Sequence, residues 1–174
     1  MIEVEKKIAE NTLKKLHTKS WSKLTLEDVI EKNIKKQKFI NTKIDLLKNL
    51  NRYVDSTLIE NTKNLESSST KDMLFEVLMA RFDILQMNRV SFIKIFEEFK
   101  KSPKKILKLF PSFLESMIVT AELANFNVNG LRGSIRLKGL FFVYLKTFYT
   151  WVNDKTSSLE KTMTSLDKNL DQAE

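Results

Sequence analysis

The side chains of this sequence best suited to binding chemistry are polar and lie close together in its first third. They are Thr25, Lys35, Lys36, Gln37, Lys38 and Lys43. Lysine ammonium groups bind phosphate oxygens, and a glutamine amide can read a base edge through paired hydrogen bonds. We therefore expect the three clustered lysines and Lys43 to contact a nucleic-acid backbone, with Gln37 as the base reader.

The stretch from Leu24 to Leu47 contains the elements that must position these side chains. Thr25 is a good N-cap, and Asp28 can reach back toward it as in a capping box. Asn33 is a plausible helix end because asparagine tolerates the left-handed conformation. A short basic helix would follow, and Asn41 or Thr42 would cap a third, longer helix. Two short helices joined by a tight turn and followed by a long one are typical of a helix-turn-helix.

The order of residues in this region resembles the N-terminal DNA-binding domain of the TetR family of bacterial repressors. The segments that carry the resemblance are IAENTLKKLHTKSW, KLTLEDVI and INTKIDLL. In the last segment, the matching residues are Ile40, Lys43, Asp45, Leu46 and Leu47. The segment between Ile34 and Ile40 is shorter than the family pattern, and Asn33 stands where the family usually has glycine. The resemblance implies a dimeric, ligand-responsive transcriptional regulator.

A second resemblance lies in the body of the chain. The segments MLFEVLMARFDILQMNR, GLRGSIRLKGLFFVYL and TWVNDKTSSLEKTMTSLDKNL are similar to a TetR-type group close to the coenzyme Q accessory proteins. Those proteins keep a TetR-like fold but bind lipid. This resemblance implies an alternative, a protein that does not bind DNA and instead holds a lipid or a partner enzyme. The shortened basic helix favours the alternative, whereas the basic N-terminal third favours the regulator.

Composition and periodicity predict an all-α protein. The chain has three Gly and two Pro, fewer than tight hairpins need, and its apolar residues recur at helical spacing. We expect a three-helix helix-turn-helix head at residues 1–52 and a TetR-like helical bundle for ligand binding and dimerisation at residues 53–174. Residues 1–52 hold thirteen Lys and Arg against seven Asp and Glu, and residues 53–174 hold seventeen against fifteen. A basic head on a nearly neutral body suits a surface that faces DNA.

Large apolar side chains in the body predict either a cavity for a small apolar ligand or a filled core, and the sequence leaves both open. The candidate ligand-binding residues are Phe82, Met87, Phe113, Met117, Phe142 and Tyr149. The segment from Ile135 to Val152 is apolar around most of its circumference, more than one packed face can cover. We therefore expect a two-fold homodimer through the last two helices. Its predicted interface comprises Phe141, Tyr144, Phe148, Trp151, Leu159, Met163 and Leu166.

The sequence lacks the residues that several functional classes of protein require. The chain has no Cys and a single His, so it offers neither disulfides nor a Cys-based zinc site. It also lacks a Gly-rich phosphate loop and an acidic pair near the histidine. We expect no enzymatic activity, no cofactor and no metal. The charged N-terminus does not resemble a secretory signal and no segment is long and apolar enough to span a membrane, so we expect a cytoplasmic protein.

Overall fold

The computed structural model describes residues 1–30, 40–66, 68–101 and 103–173. Among these residues it contains α-helices, one short 3-10 helix at Trp21–Lys23 and no strand, which confirms the all-α class. The helices are α1 (Glu3–Thr18), α2 (Lys43–Asn61), α3 (Thr70–Met87), α4 (Arg89–Lys100), α5 (Pro103–Leu123), α6 (Gly130–Asn153) and α7 (Glu160–Asp171). None of the described helices is both long enough and apolar enough to cross a membrane.

The chain forms two compact units. The first comprises Met1–Thr57 and Leu85–Phe113, and the second comprises Leu58–Ile84 and Leu114–Glu174. The predicted division after residue 52 is linear, whereas these units interleave along the chain. Helix α4 and the first half of α5 belong with the N-terminal segment. A single boundary after residue 52 would instead place them with the rest of the chain.

The first unit is built on α1, which packs against α4, and α4 also packs against the 3-10 helix. Its core includes Ile8, Leu13, Leu16, Trp21, Leu46 and Ile95. The last carbonyls of α1 lack helical partners and are satisfied from α4. Lys94 Nζ donates to the carbonyl oxygens of Leu16 at 2.7 Å and His17 at 2.8 Å. Ser91 Oγ, also on α4, donates to the carbonyl oxygen of Leu13 at 2.8 Å, and Leu13 lies before the last four residues of α1.

The second unit is built on α6 and α7, which pack against each other. An aromatic cluster joins α3 to α6. The Phe82 ring stacks on Tyr144 with centroids 5.6 Å apart, and it lies 6.5 Å from the Trp151 ring. Phe148 lies 5.3 Å from the Trp151 ring on the same helix. Aromatic pairs at these distances stabilise a core beyond the area they bury.

Local sequence signals predict several helix bounds correctly. They place α1 from about Ile2 to His17, and it runs Glu3–Thr18; they place α2 from Lys43 to about Thr62, and it runs Lys43–Asn61. Helix α3 begins at Thr70, where the Ser69 hydroxyl accepts from the Asp72 amide at 3.2 Å, as the capping signal predicts.

Two further expectations concern α5 and α6. The sequence predicts that α5 bends or restarts at Pro111, and the restart is wrong because the helix continues through that residue. Proline removes only the one helical hydrogen bond of its own missing N–H, and the residue after it is bonded to α2. Asn51 Nδ2 donates to the Ser112 carbonyl at 2.8 Å and to its hydroxyl at 3.0 Å. The turn predicted over residues 125–133 is shorter than expected, because α6 already begins at Gly130.

Candidate functional site

The sequence predicts a short helix that starts after Thr25, but residues 25–30 form a turn instead, and the carboxylate of Asp28 holds this turn. Asp28 Oδ2 accepts from the Thr25 amide at 2.9 Å, which confirms the predicted reach back toward the cap. Asp28 Oδ1 accepts from Lys19 Nζ, at the end of α1. The bond from Lys19, then the bond from the Thr25 amide, lower the pKa of Asp28 to about 2. Asp28 therefore carries a full charge at neutral pH and ties the turn to the end of α1.

The beginning of α2 is held by a second carboxylate. Asp45 Oδ2 accepts from the amides of Asn41 at 3.1 Å and Thr42 at 2.9 Å. In return, the Asp45 amide donates to Thr42 Oγ1 at 3.2 Å, which completes a capping box with Thr42 as the cap. Burial raises the pKa of Asp45, but the bonds from Thr42 and Asn41 outweigh it and leave the pKa below its ordinary value.

Lys43, expected to grip a phosphate, contacts the protein itself. Its Nζ donates to the carbonyl oxygens of Trp21 and Ser22, both at 2.9 Å, and lies 5.8 Å from the centroid of the Trp21 ring. Trp21 is buried in the core of the first unit. Lys43 therefore joins the start of α2 to the 3-10 helix in this structure.

Of the other predicted nucleic-acid contacts, the structure describes only Thr25. Thr25 is exposed, at the start of the turn. Lys35, Lys36, Gln37 and Lys38 lie outside the described residues. Residues 35–38 are called the basic segment below. The structure describes both of its flanks, which are the turn that precedes it and the capped helix that follows it.

Neither a protein-family model nor a curated protein matches this chain. Its functional interpretation therefore depends on the residues and their geometry.

The six predicted ligand-binding residues do not share one cavity. Met87 and Phe113 belong to the first unit, and the other four belong to the second. Phe82 and Met117 are buried, whereas Met87, Phe142 and Tyr149 are 67, 63 and 64% exposed. Exposed side chains cannot line an enclosed apolar cavity, so this set is dispersed between core and surface.

Most of the predicted dimer residues lie in the core of the chain itself. Phe141, Tyr144, Trp151, Leu159 and Leu166 are all buried. These residues face either the aromatic cluster or the contact between α6 and α7, so a partner chain cannot reach them. Phe148 is half-buried and Met163 is exposed, so these two remain accessible.

The opposite face of α6 carries an exposed apolar stripe. It comprises Leu131, Ile135, Phe142, Leu145 and Tyr149. The sequence shows that this helix is apolar nearly all round but not which face the core takes. The helical spacing of these five residues places them on one face of α6. Whether that face is buried or exposed depends on the side on which α3 and α7 pack.

A cavity of about 610 Å³ lies in the second unit, and none of the predicted ligand residues lines it. Its walls come from four segments: the start of α3, the turn at residues 125–127, the first half of α6 and the end of α7. No local sequence pattern joins segments so far apart, so sequence reasoning could not assemble this set. Within the described part of the chain, no cluster of three or more His, Asp or Glu side chains is placed to hold a metal ion.

Asp154 forms a polar centre that sequence reasoning also missed. Its Oδ1 accepts from the amide of Thr156 at 3.0 Å and from its hydroxyl at 2.6 Å. Its Oδ2 accepts from the amide of Thr162 at 2.9 Å and from its hydroxyl at 2.8 Å. Although burial raises the pKa of Asp154, these bonds lower it to about 2. The carboxylate caps α7 from outside the helix, because the residue before the helix, Leu159, has no side-chain acceptor.

Proposed function

We propose that this protein is a DNA-binding transcriptional regulator of the TetR type, whose first unit faces DNA and which responds to a small ligand. The observation that carries the proposal is the way residues 19–22 hold both flanks of the basic segment. Lys19 binds Asp28 in the preceding turn, and the carbonyls of Trp21 and Ser22 bind Lys43 at the start of α2. A recognition segment needs such a rigid frame to enter a groove in one orientation.

Charge supports the same function. Residues 1–52 carry a surplus of six positive charges, from thirteen Lys and Arg against seven Asp and Glu. A cationic surface attracts DNA irrespective of sequence, and base-edge contacts then add specificity. In this proposal Lys35, Lys36 and Lys38 contact phosphates and Gln37 reads a base.

The experiment is a selection from random DNA, followed by binding measurements across a range of salt concentrations. The wild-type protein should enrich one sequence motif. Replacing Lys35, Lys36 and Lys38 together by glutamine should reduce the log–log salt slope by about 0.9 for each phosphate that is no longer neutralised. A matched control replaces Lys155, Lys161 and Lys168, three exposed lysines of the second unit, and should keep the wild-type slope. Gln37→Ala should relax the motif by lowering affinity for the preferred sequence by about 1–3 kcal/mol while leaving non-specific affinity unchanged.

If no motif is enriched and the slope is as shallow for wild type as for the triple lysine variant, the regulator proposal is wrong. The alternative then gains weight: a TetR-like protein that does not bind DNA but binds a lipid or a partner enzyme. Two observations favour that alternative. Lys43 is already bonded to the protein's own carbonyls, and α6 exposes an apolar stripe.

We further propose that the protein is a homodimer through α6 and α7, with the exposed stripe of α6 at the interface. Contiguous apolar surface of more than a few hundred Å² is uncommon on monomers, and a two-fold axis buries the same patch on both copies. Phe142→Asp combined with Tyr149→Asp should give a monomer in sedimentation, and Ser157→Asp, at an exposed position off the stripe, should not. A wild-type chain that sediments as a monomer at micromolar concentration would contradict the proposal.

A further inference from the structure

The cavity of the second unit combines an apolar wall with a cationic end. Its volume of about 610 Å³ lies within the range of roughly 300–1,000 Å³ that small-molecule sites occupy. The apolar part of its lining consists of Leu74, Phe126, Ile135, Leu140, Val143, Leu170 and Ala173. Ile135 is exposed, so the cavity opens to solvent on its side. A wall of this kind favours the hydrocarbon part of a ligand.

The ionisable side chains that line the cavity are Lys71 and Arg136, and the described lining contains no acidic residue. Lys71 Nζ forms ion pairs with Asp171 and Asp167 of α7, so carboxylates of the protein already balance its charge. Arg136 donates instead to the neutral carbonyl oxygen of Asn127 at 3.4 Å, and its guanidinium carbon lies 5.9 Å from the centroid of the Phe126 ring. The guanidinium thus brings to the cavity a positive charge that no carboxylate of the described lining balances.

Gly139 keeps part of this volume open. It lies inside α6 and lines the cavity, and a Cβ atom built on it would meet no other atom within 4 Å. Glycine inside a helix costs about 1 kcal/mol relative to alanine. A glycine that is not required by close packing leaves space that a bound molecule can fill.

We propose that this cavity binds an amphiphile with one anionic group, its hydrocarbon part on the apolar wall and its anion on Arg136. The inference rests on the ligand-responsive part of the proposed function and assigns that ligand a chemical class and a site. A guanidinium binds carboxylate and phosphate groups through paired, charge-assisted hydrogen bonds. The shared chemistry is an anion on a chain, and the experiment distinguishes the two head groups.

The test is isothermal titration of the full-length protein with dodecanoate and dodecyl phosphate, each below its micelle concentration, and with dodecanol below its solubility limit. At least one of the two anions should bind tenfold or more tightly than dodecanol. Tighter binding of dodecanoate assigns the head group as a carboxylate, and tighter binding of dodecyl phosphate assigns it as a phosphate. If dodecanol binds as tightly as both anions, or none of the three ligands binds, the inference is wrong.

Three variants locate the binding site. Arg136→Gln should weaken binding of the preferred anion tenfold or more and leave dodecanol binding unchanged. Lys138→Gln removes the same charge from an exposed residue of α6 outside the lining, and it should bind like wild type. Gly139→Phe should fill the cavity and weaken all three ligands.

Equal effects of Arg136→Gln and Lys138→Gln would overturn the inference, as would wild-type affinity in a Gly139→Phe variant that keeps its helical content. If Gly139→Phe fails to fold, the arginine and lysine pair still decides. No DNA enters these titrations, so failure here is separate from a failure of DNA binding, which the selection experiment measures.

Discussion

Removal of the Asp154 carboxylate should destabilise the second unit more than any exposed substitution near it. Asp154→Ala deletes four hydrogen bonds, two from Thr156 and two from Thr162. Loss of a helix cap costs about 1 kcal/mol, and each buried donor left without an acceptor costs about 1–3 kcal/mol. Thr162 is fully buried, whereas Thr156 is accessible enough for water to replace its lost partner. The expected loss of stability is about 2–4 kcal/mol.

Hydrogen exchange of the α7 amides and urea unfolding measure this loss. Each unit contains one tryptophan, Trp21 in the first and Trp151 in the second. Fluorescence in a Trp21→Phe background therefore reports unfolding of the second unit alone. A loss of about 2–4 kcal/mol corresponds to α7 amides exchanging roughly 30-fold to 900-fold faster where local opening governs exchange. Lys155→Ala, at the exposed neighbouring position, is the control and should change stability by less than about 0.5 kcal/mol.

The effect should depend on pH with a defined sign. The pKa of Asp154 is about 2 in the folded protein against its ordinary value of 3.8 in the unfolded chain, so the folded state prefers the charged form. Its contribution is fully present well above pH 3.8 and is lost as pH falls toward 2. The difference between wild type and Asp154→Ala should therefore narrow as pH is lowered from about 5 toward 3. A difference no larger than that of the Lys155 control, or one that stays constant over this pH range, would refute the capping role.

Other substitutions test the packing of each unit. Gly133→Ala should destabilise the second unit by more than about 2 kcal/mol in urea unfolding, because a Cβ there would lie 2.1 Å from the Val128 carbonyl carbon. Gly139→Ala, in the same helix, should stabilise the unit by about 0.5–1 kcal/mol, since its Cβ meets no neighbour. Equal effects of Gly133→Ala and Gly139→Ala on stability would contradict the placement of α6. Lys94→Met keeps an apolar stem but removes the donor to the last carbonyls of α1, and it should cost the first unit about 1–2 kcal/mol. Lys6→Met, at an exposed site of α1, is its control and should be nearly neutral; a Lys94 effect no larger than this would show that the carbonyls gain nothing from the lysine.

Many local features of this protein follow from short stretches of its sequence. These features are the all-α class, the bounds of α1 and α2, and the caps that Asp28, Thr42 and Ser69 help to form. The hydrogen bonds that define them join residues at most four apart in the sequence. Hydrogen bonds over such short separations depend on backbone geometry that the local sequence already specifies. The expected DNA-reading segment was identified in the same way, from residue types and spacing.

Tertiary structure decided the features that depend on which surfaces meet. Phe141 and Phe142 are adjacent and identical, yet only the first is buried, because α3 and α7 pack on one side of α6. Gly133 and Gly139 are likewise indistinguishable by residue type, and only the approach of the Val128 backbone makes the first indispensable. The cap from Asp154 spans eight residues, and the cavity draws on four separate segments. Helical periodicity predicts that a face is apolar, but the direction of that face depends on partners elsewhere in the chain.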